Sequence, residues 1–134
     1  MGNFSDHPGI KRPEDYFRSH DAFMDYRGIG MIDFHETAEL GWNVKMFTLS
    51  HDSYRFGDLV KRPIKVGANA FIASFATLYN CVIGAGAIVA LESVVRSRIV
   101  PPDTMVEGNP AYIFRKKVAG KWIEHYASLE KMGR

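Results

Sequence analysis

Residues 64–100 run IKVGANAFIASFATLYNCVIGAGAIVALESVVRSRIV. Aliphatic side chains recur in this stretch at every sixth position, first Val66, Ile72 and Leu78, then Ile83, Val89 and Val95. Small residues follow them, as in Val66-Gly67, Ile72-Ala73, Ile83-Gly84 and Val89-Ala90. Neither the 3.6-residue turn of a helix nor the alternation of a strand produces a period of six. A triangular coil does: three short parallel strands make one turn of about 18 residues, and each strand sends one aliphatic side chain into the shaft. The small neighbour lets the chain turn each corner without a clash. Stacked coils then lay aliphatic residue on aliphatic residue, each stabilising by roughly 1.5–3 kcal/mol when buried. Buried strands of an ordinary α/β sheet are the alternative, but residues 64–100 hold no helix-periodic segment to serve as a crossover.

Upstream, Phe34, Leu40 and Met46 keep the spacing, with Gly41 after Leu40. The repeat is therefore expected to fill one β-helical domain over residues 28–112, between an N-terminal extension (1–27) and a C-terminal tail (113–134). Two interruptions stand out. From Leu78 to Ile83 the spacing is five, which predicts a tight corner at Tyr79-Asn80-Cys81-Val82. Between Ser50 and Arg62 the repeat gives way to His51-Asp52-Ser53-Tyr54-Arg55-Phe56-Gly57-Asp58, expected to leave the coil as an excursion loop near 51–62 and return at Pro63-Ile64. Loops carried by a rigid scaffold are where function tends to sit. A short helix is expected around Glu14 to His20. Trp122, Ile123, Tyr126 and Leu129 share one face of a second helix from about Lys121 to Lys131, so the fold class is all-β with a short C-terminal α-helix.

Composition narrows the function classes. At 134 residues, 46% hydrophobic and 24% charged, the chain suits one globular domain and not a disordered one. A net charge of +2 is too small to imply nucleic acid. The apolar run Val82–Leu91 is far short of the roughly 20 residues that cross a bilayer. A single cysteine, Cys81, excludes an internal disulfide and suits a reducing compartment. With no secretory signal pattern at residues 1–7, the cytoplasm is the expected location, and the sequon at Asn3 is read as chance.

Four stretches carry a family resemblance. Pro63-Ile64-Lys65-Val66-Gly67-Ala68-Asn69-Ala70-Phe71-Ile72-Ala73 resembles P-I-x-I-G-x-N-V-W-I-G, and Val82-Ile83-Gly84-Ala85-Gly86-Ala87-Ile88-Val89 resembles T-I-G-x-G-A-V-I. Pro101-Pro102-Asp103-Thr104-Met105-Val106-Glu107-Gly108-Asn109-Pro110-Ala111 resembles P-P-x-T-V-V-x-G-N-P-A, the most specific of the four. Leu40-Gly41-Trp42-Asn43-Val44-Lys45-Met46, followed by His51, resembles I-G-x-N-V-x-I with its downstream histidine. All belong to the hexapeptide-repeat acyltransferases, and in pattern to the maltose, galactoside and colanic-acid type O-acetyltransferases. The resemblance implies a left-handed parallel β-helix, acetyl-CoA as acyl donor, a saccharide hydroxyl as acceptor and a homotrimer. The left hand rests on that resemblance, because ordinary crossovers are right-handed.

Acetyl transfer needs a hydroxyl deprotonated as it attacks a thioester, work suited to a neutral imidazole, whose reference pKa lies near 6.5. The resemblance gives this role to His51, and gives Asn43 and Phe71 to the acceptor site. It places the backbone N–H near Ser74 beside the thioester oxyanion, and Arg96, Arg98, Arg115, Lys116 and Lys117 on the CoA phosphates. Neighbours on an extended chain point to opposite sides, so Asp52 is not expected to pair with His51; what orients the imidazole is a carbonyl or a carboxylate. Leu91 and Glu92 are bulkier than the family's small corner residues, where pantetheine would run, and the Arg96–Val100 segment is one residue longer than its counterpart. His7, His20 and His125 read as surface residues and His35 as a weak cleft candidate. A γ-type carbonic anhydrase would need three histidine ligands, and no H-x-x-x-H pair is present, so no metal is expected. N-acetylation of an amino sugar, or a non-catalytic β-helical structural or binding module, would suit the same scaffold.

Overall fold

The computed structural model describes residues 14–25, 31–52 and 54–124. A short helix, α1 (Glu14–Ser19), precedes β1 (Phe23–Met24), β2 (Ile32–Phe34), β3 (Glu39–Leu40) and β4 (Lys45–Phe47). A hairpin of β5 (Leu49–His51) and β6 (Leu59–Lys61) interrupts the coil. The repeat resumes with β7 (Ile64–Val66), β8 (Phe71–Ile72), β9 (Thr77–Ile83), β10 (Ile88–Val89), β11 (Val94–Val100) and β12 (Thr104–Gly108). The chain closes with β13 (Ala111–Val118) and β14 (Lys121–Glu124).

The strands stack in parallel on three faces. The first face holds β2, β7 and the second halves of β9 and β11. The second holds β3, β8, β10 and β12. The third holds β1, β4 and the first halves of β9 and β11. Each face sends a buried column down the shaft, Phe34-Val66-Ile83-Val100, Leu40-Ile72-Val89-Val106 and Met24-Met46-Leu78-Val95, and the first face adds a second, Ile32-Ile64-Cys81. The aliphatic residues of the six-residue pattern are thus the interior of a left-handed β-helix. Strand β1 pairs with β4, so the shaft already includes residues 23–24.

The uninterrupted coil is one residue shorter than the expected 18. Partners in register lie 17 apart, as Val66, Ile83 and Val100 show. The five-residue step from Leu78 to Ile83 recurs from Val95 to Val100, and β9 and β11 each run through that corner with one left-handed residue, Asn80 (φ 47°) and Ser97 (φ 52°). The Asn80 side-chain amide donates to Ser97 Oγ at 3.3 Å. The other corners use the same device at Asn69, Gly86 and Asp103 and at Asn43, Phe75 and Glu92. Asparagine, aspartate and glycine tolerate positive φ, whereas phenylalanine and glutamate hold it against strain. Corners pack backbone on backbone: a Cβ on Gly84 would lie 2.5 Å from the Pro102 nitrogen in the next coil.

The shaft is plugged at both ends. On the N-terminal side, Phe17 of α1 is fully buried edge-on to Phe34, 5.2 Å between ring centres, and Tyr16 Oη accepts the Leu40 N–H at 2.8 Å. On the other side β13 folds back antiparallel on β12, and β14 on β13. Here the expected C-terminal helix is corrected over its first turn, because Lys121–Glu124 is a strand. Ala119 (φ 50°) and Gly120 (φ 78°) close a two-residue hairpin turn of the kind that matches strand twist, and Trp122 pairs across from Lys117. The rest of that expected helix, from His125 onward, and His7 lie outside the described residues. Among the described residues no helix is long and apolar enough to cross a membrane.

Candidate active site

The β5–β6 hairpin leaves the coil at the corner after β4, and the Arg62 N–H donates to the Thr48 carbonyl at 2.7 Å to close its base. Strands β4, β9 and β11 run beside it, and their register sets Phe47, Tyr79 and Arg96 in one outward row. Hairpin and row enclose a groove of about 610 Å³. Its wall carries Ser50, His51, Asp52 and Arg62, and its floor Tyr79 and Arg96. Ser50 Oγ and Tyr79 Oη share a 2.6 Å hydrogen bond, which ties wall to floor.

His51 is exposed, and its Nδ1 lies 2.5 Å from the Phe56 carbonyl oxygen. A carbonyl only accepts, so Nδ1 carries the proton and Nε2 keeps a free lone pair. The orienting group is thus a backbone carbonyl across the hairpin. Asp52 is turned elsewhere: its Oδ1 accepts the Tyr54 and Arg55 N–H groups at 2.8 and 3.0 Å, a turn that shapes the hairpin tip. Tyr54, at that tip, is 94% exposed.

Of the other residues expected at the site, Arg96 alone joins His51 in the groove. Asn43 is a left-handed corner (φ 55°) whose N–H donates to the His20 carbonyl at 2.8 Å, which accounts for an asparagine there without a ligand. Phe71 is partly exposed on the second face, between Glu39 and Ile88. Ser74 lies on the corner after β8, where its Oγ accepts the Trp42 N–H at 2.8 Å. Arg115, Lys116 and Lys117 lie exposed along β13; Arg115 covers the Phe114 ring at 5.1 Å and Lys117 the Trp122 ring at 5.8 Å.

Arg98 departs most from expectation. It stands in register with the buried Cys81 and Ile64, is itself half-buried, and donates from Nη1 to the Ala111 carbonyl, while its Nε is buried without a partner. It straps the end of the shaft to β13 where a phosphate-binding arginine would face solvent. Ser97 is the left-handed corner that puts Arg98 in the inward register, as Asn80 does for Cys81 in the coil before. Tyr79 and Arg62 were not singled out by sequence reasoning. Tyr79 could have been found from its place directly after the inward Leu78, since alternation turns it outward.

His35 is held in a local turn, with its Nδ1 2.8 Å from Thr37 Oγ1, and His20 lies 2.6 Å from the Tyr16 carbonyl. Among the described residues no group of three or more His, Cys, Asp or Glu is placed to hold a metal.

No protein-family model matches the chain, and no curated protein matches it. Solved structures do. A maltose O-acetyltransferase from Clostridium difficile 630 superposes with a TM-score of 0.63 at 26% identity, covering 72% of this chain and 53% of that one. A hexapeptide-repeat-containing acetyltransferase from Vibrio cholerae gives 0.55 at 28% identity, over 65% of this chain and 63% of that one. A galactoside acetyltransferase in complex with coenzyme A gives 0.52 at 21% identity over 63% and 48%, a likeness of fold alone. These matches show the likeness to the hexapeptide-repeat acyltransferases that the motifs carry. The chain spans about half the length of the maltose O-acetyltransferase it matches.

Proposed function

We propose that this protein transfers an acetyl group from acetyl-CoA to a hydroxyl of a sugar or polysaccharide precursor, with His51 as general base. The observation that carries the reading is the imidazole held through Nδ1 by the Phe56 carbonyl, which leaves Nε2 free beside a groove. The acceptor oxygen attacks the thioester carbonyl carbon as its proton passes to Nε2. The tetrahedral intermediate collapses, the carbon–sulfur bond breaks, and the departing CoA sulfur takes the proton back from the imidazolium. The Vibrio cholerae relative, also solved in complex with acetyl coenzyme A at 27% identity, supports this donor, and the maltose O-acetyltransferase supports a saccharide acceptor.

The oxyanion needs a hydrogen-bond donor, and Ser74, which the resemblance sets beside it, sits on a different corner from His51 in one chain. We assign the backbone N–H near Ser74, with Phe71, to the groove of a neighbouring copy in a homotrimer, and Arg115, Lys116 and Lys117 to the CoA phosphates. A closed ring of three subunits would bring unlike corners of the coil together. Expressed in the cytoplasm, such an enzyme meets both acetyl-CoA and activated sugars.

The test is acceptor-dependent release of CoA from acetyl-CoA across neutral sugars, amino sugars and uronic acids. His51→Ala should lower turnover by about 10²–10⁴-fold. Equal turnover by wild type and variant would remove His51 from the chemistry.

A further inference from the structure

The groove carries more positive charge than a neutral sugar requires. Arg62 on the wall and Arg96 on the floor both line it, and among the described residues neither guanidinium has a hydrogen-bond or ion-pair partner. One carboxylate, Asp52, lines the groove, and its Oδ1 is already engaged by two backbone N–H groups. Two unpaired guanidinium groups around one concave space repel each other and favour an anion between them.

The backbone places both arginine residues on the groove that His51 lines. Arg96 stands beside Tyr79 in the β9–β11 register, Tyr79 Oη is bound to Ser50 Oγ, and Ser50 precedes His51 in β5. Arg62 is held from the other side by its N–H bond to Thr48. The Tyr79–Ser50 hydroxyl pair thus lines the same groove as Arg62, Arg96 and His51.

From this arrangement we infer that the acceptor is anionic, a saccharide whose carboxylate or phosphate is held by Arg62 and Arg96 while a hydroxyl of the same molecule reaches His51 Nε2. The inference deepens the acetyl-transfer reading and rests on it for the role of His51. A planar guanidinium can take either oxyanion in a two-point grip, and the Tyr79–Ser50 hydroxyl pair lies where ring hydroxyls of the sugar would pass.

Calorimetry with matched probes tests it: methyl β-D-glucuronoside, methyl β-D-glucoside and glucose 1-phosphate, titrated into wild type, Arg62→Gln, Arg96→Gln, Arg62→Lys and the double glutamine variant. Wild type should bind at least one of the two anions about 10-fold more tightly than the glucoside, the discrimination expected of one charge-assisted hydrogen bond. Each glutamine substitution should remove most of that preference, the double variant all of it, and Arg62→Lys should retain part. Which anion wins separates carboxylate from phosphate recognition. Acetyl-CoA titrated into the same variants is the donor arm. If its affinity falls about 10-fold while the sugar preference stands, the guanidinium groups serve the donor and the inference is overturned. It is likewise overturned if wild type shows no preference for either anion or binds none. A wild type that binds the anions but not acetyl-CoA would sink the acetyl-transfer reading and leave the anion site standing.

Discussion

Replacing Gly84 with alanine should loosen the shaft at one identifiable corner. The added Cβ would meet the Pro102 nitrogen at 2.5 Å and the Pro101 carbonyl carbon at 2.8 Å, both backbone atoms of the adjacent coil. Neither can rotate away, so the coils must separate by most of an ångström locally. The shift opens the register that stacks Ile83 on Val100. Overpacking of this kind costs about 1–3 kcal/mol. At about 4 °C per kcal/mol for a chain of this size, the unfolding midpoint should fall by roughly 4–12 °C. Gly57 provides the control, since its Cβ would meet nothing within 4 Å and its hairpin tip lies outside the shaft. Gly57→Ala should stay within about 0.5 kcal/mol of wild type. The assays are thermal unfolding for the midpoint and urea unfolding for the free energy, both followed by circular dichroism at one fixed protein concentration. A Gly84→Ala protein as stable as the Gly57→Ala control would refute the backbone-on-backbone stacking described at this corner.

Glu92 holds φ 59° at an exposed corner, a conformation that disfavours a long side chain, so Glu92→Asn should raise stability by about 1 kcal/mol in the same urea assay. Tyr79→Phe removes the hydroxyl that ties hairpin to shaft and should loosen the His51 wall, read as faster amide exchange at Leu49–His51 than in wild type. Burial pushes the Cys81 thiol from its ordinary 9.0 up to about 12. Because the folded state holds this proton more tightly, the group's contribution to stability is complete below pH 9 and is lost as pH rises toward 12. Cys81→Ala should therefore flatten the alkaline fall in stability, and a thiol reagent at pH 8 should react with wild type only once urea unfolds it.

The shaft was legible because a β-helix repeats its demand for an aliphatic residue once per strand, so Val66, Ile72 and Leu78 state the fold without help from distant segments. The excursion that carries His51 was legible for a related reason: the repeat lapses after Ser50 and resumes at Ile64, where the β5–β6 hairpin interrupts the coil. The remainder of the site depends on pairings between segments. Nothing local in Phe56 announces that its carbonyl will meet His51 across a hairpin, nor in Tyr79 that Ser50 will reach its hydroxyl. Arg98 misled because Arg96-Ser97-Arg98 reads as a basic surface turn, whereas the left-handed Ser97 turns the second arginine into the inward register. Trp122 and Ile123 fit a helical stripe as well as a strand, and Ala119-Gly120 is a weak hairpin signal beside Asn-Gly, so the competition between helix and strand was settled by pairing with β13.

Titration of the purified protein with acetyl-CoA, in parallel with His51→Ala, tests the proposed chemistry most directly. Wild type and variant should both bind in the micromolar range, while the variant loses acetyl transfer to the acceptor. Absence of binding by wild type at millimolar acetyl-CoA would contradict the proposed reaction.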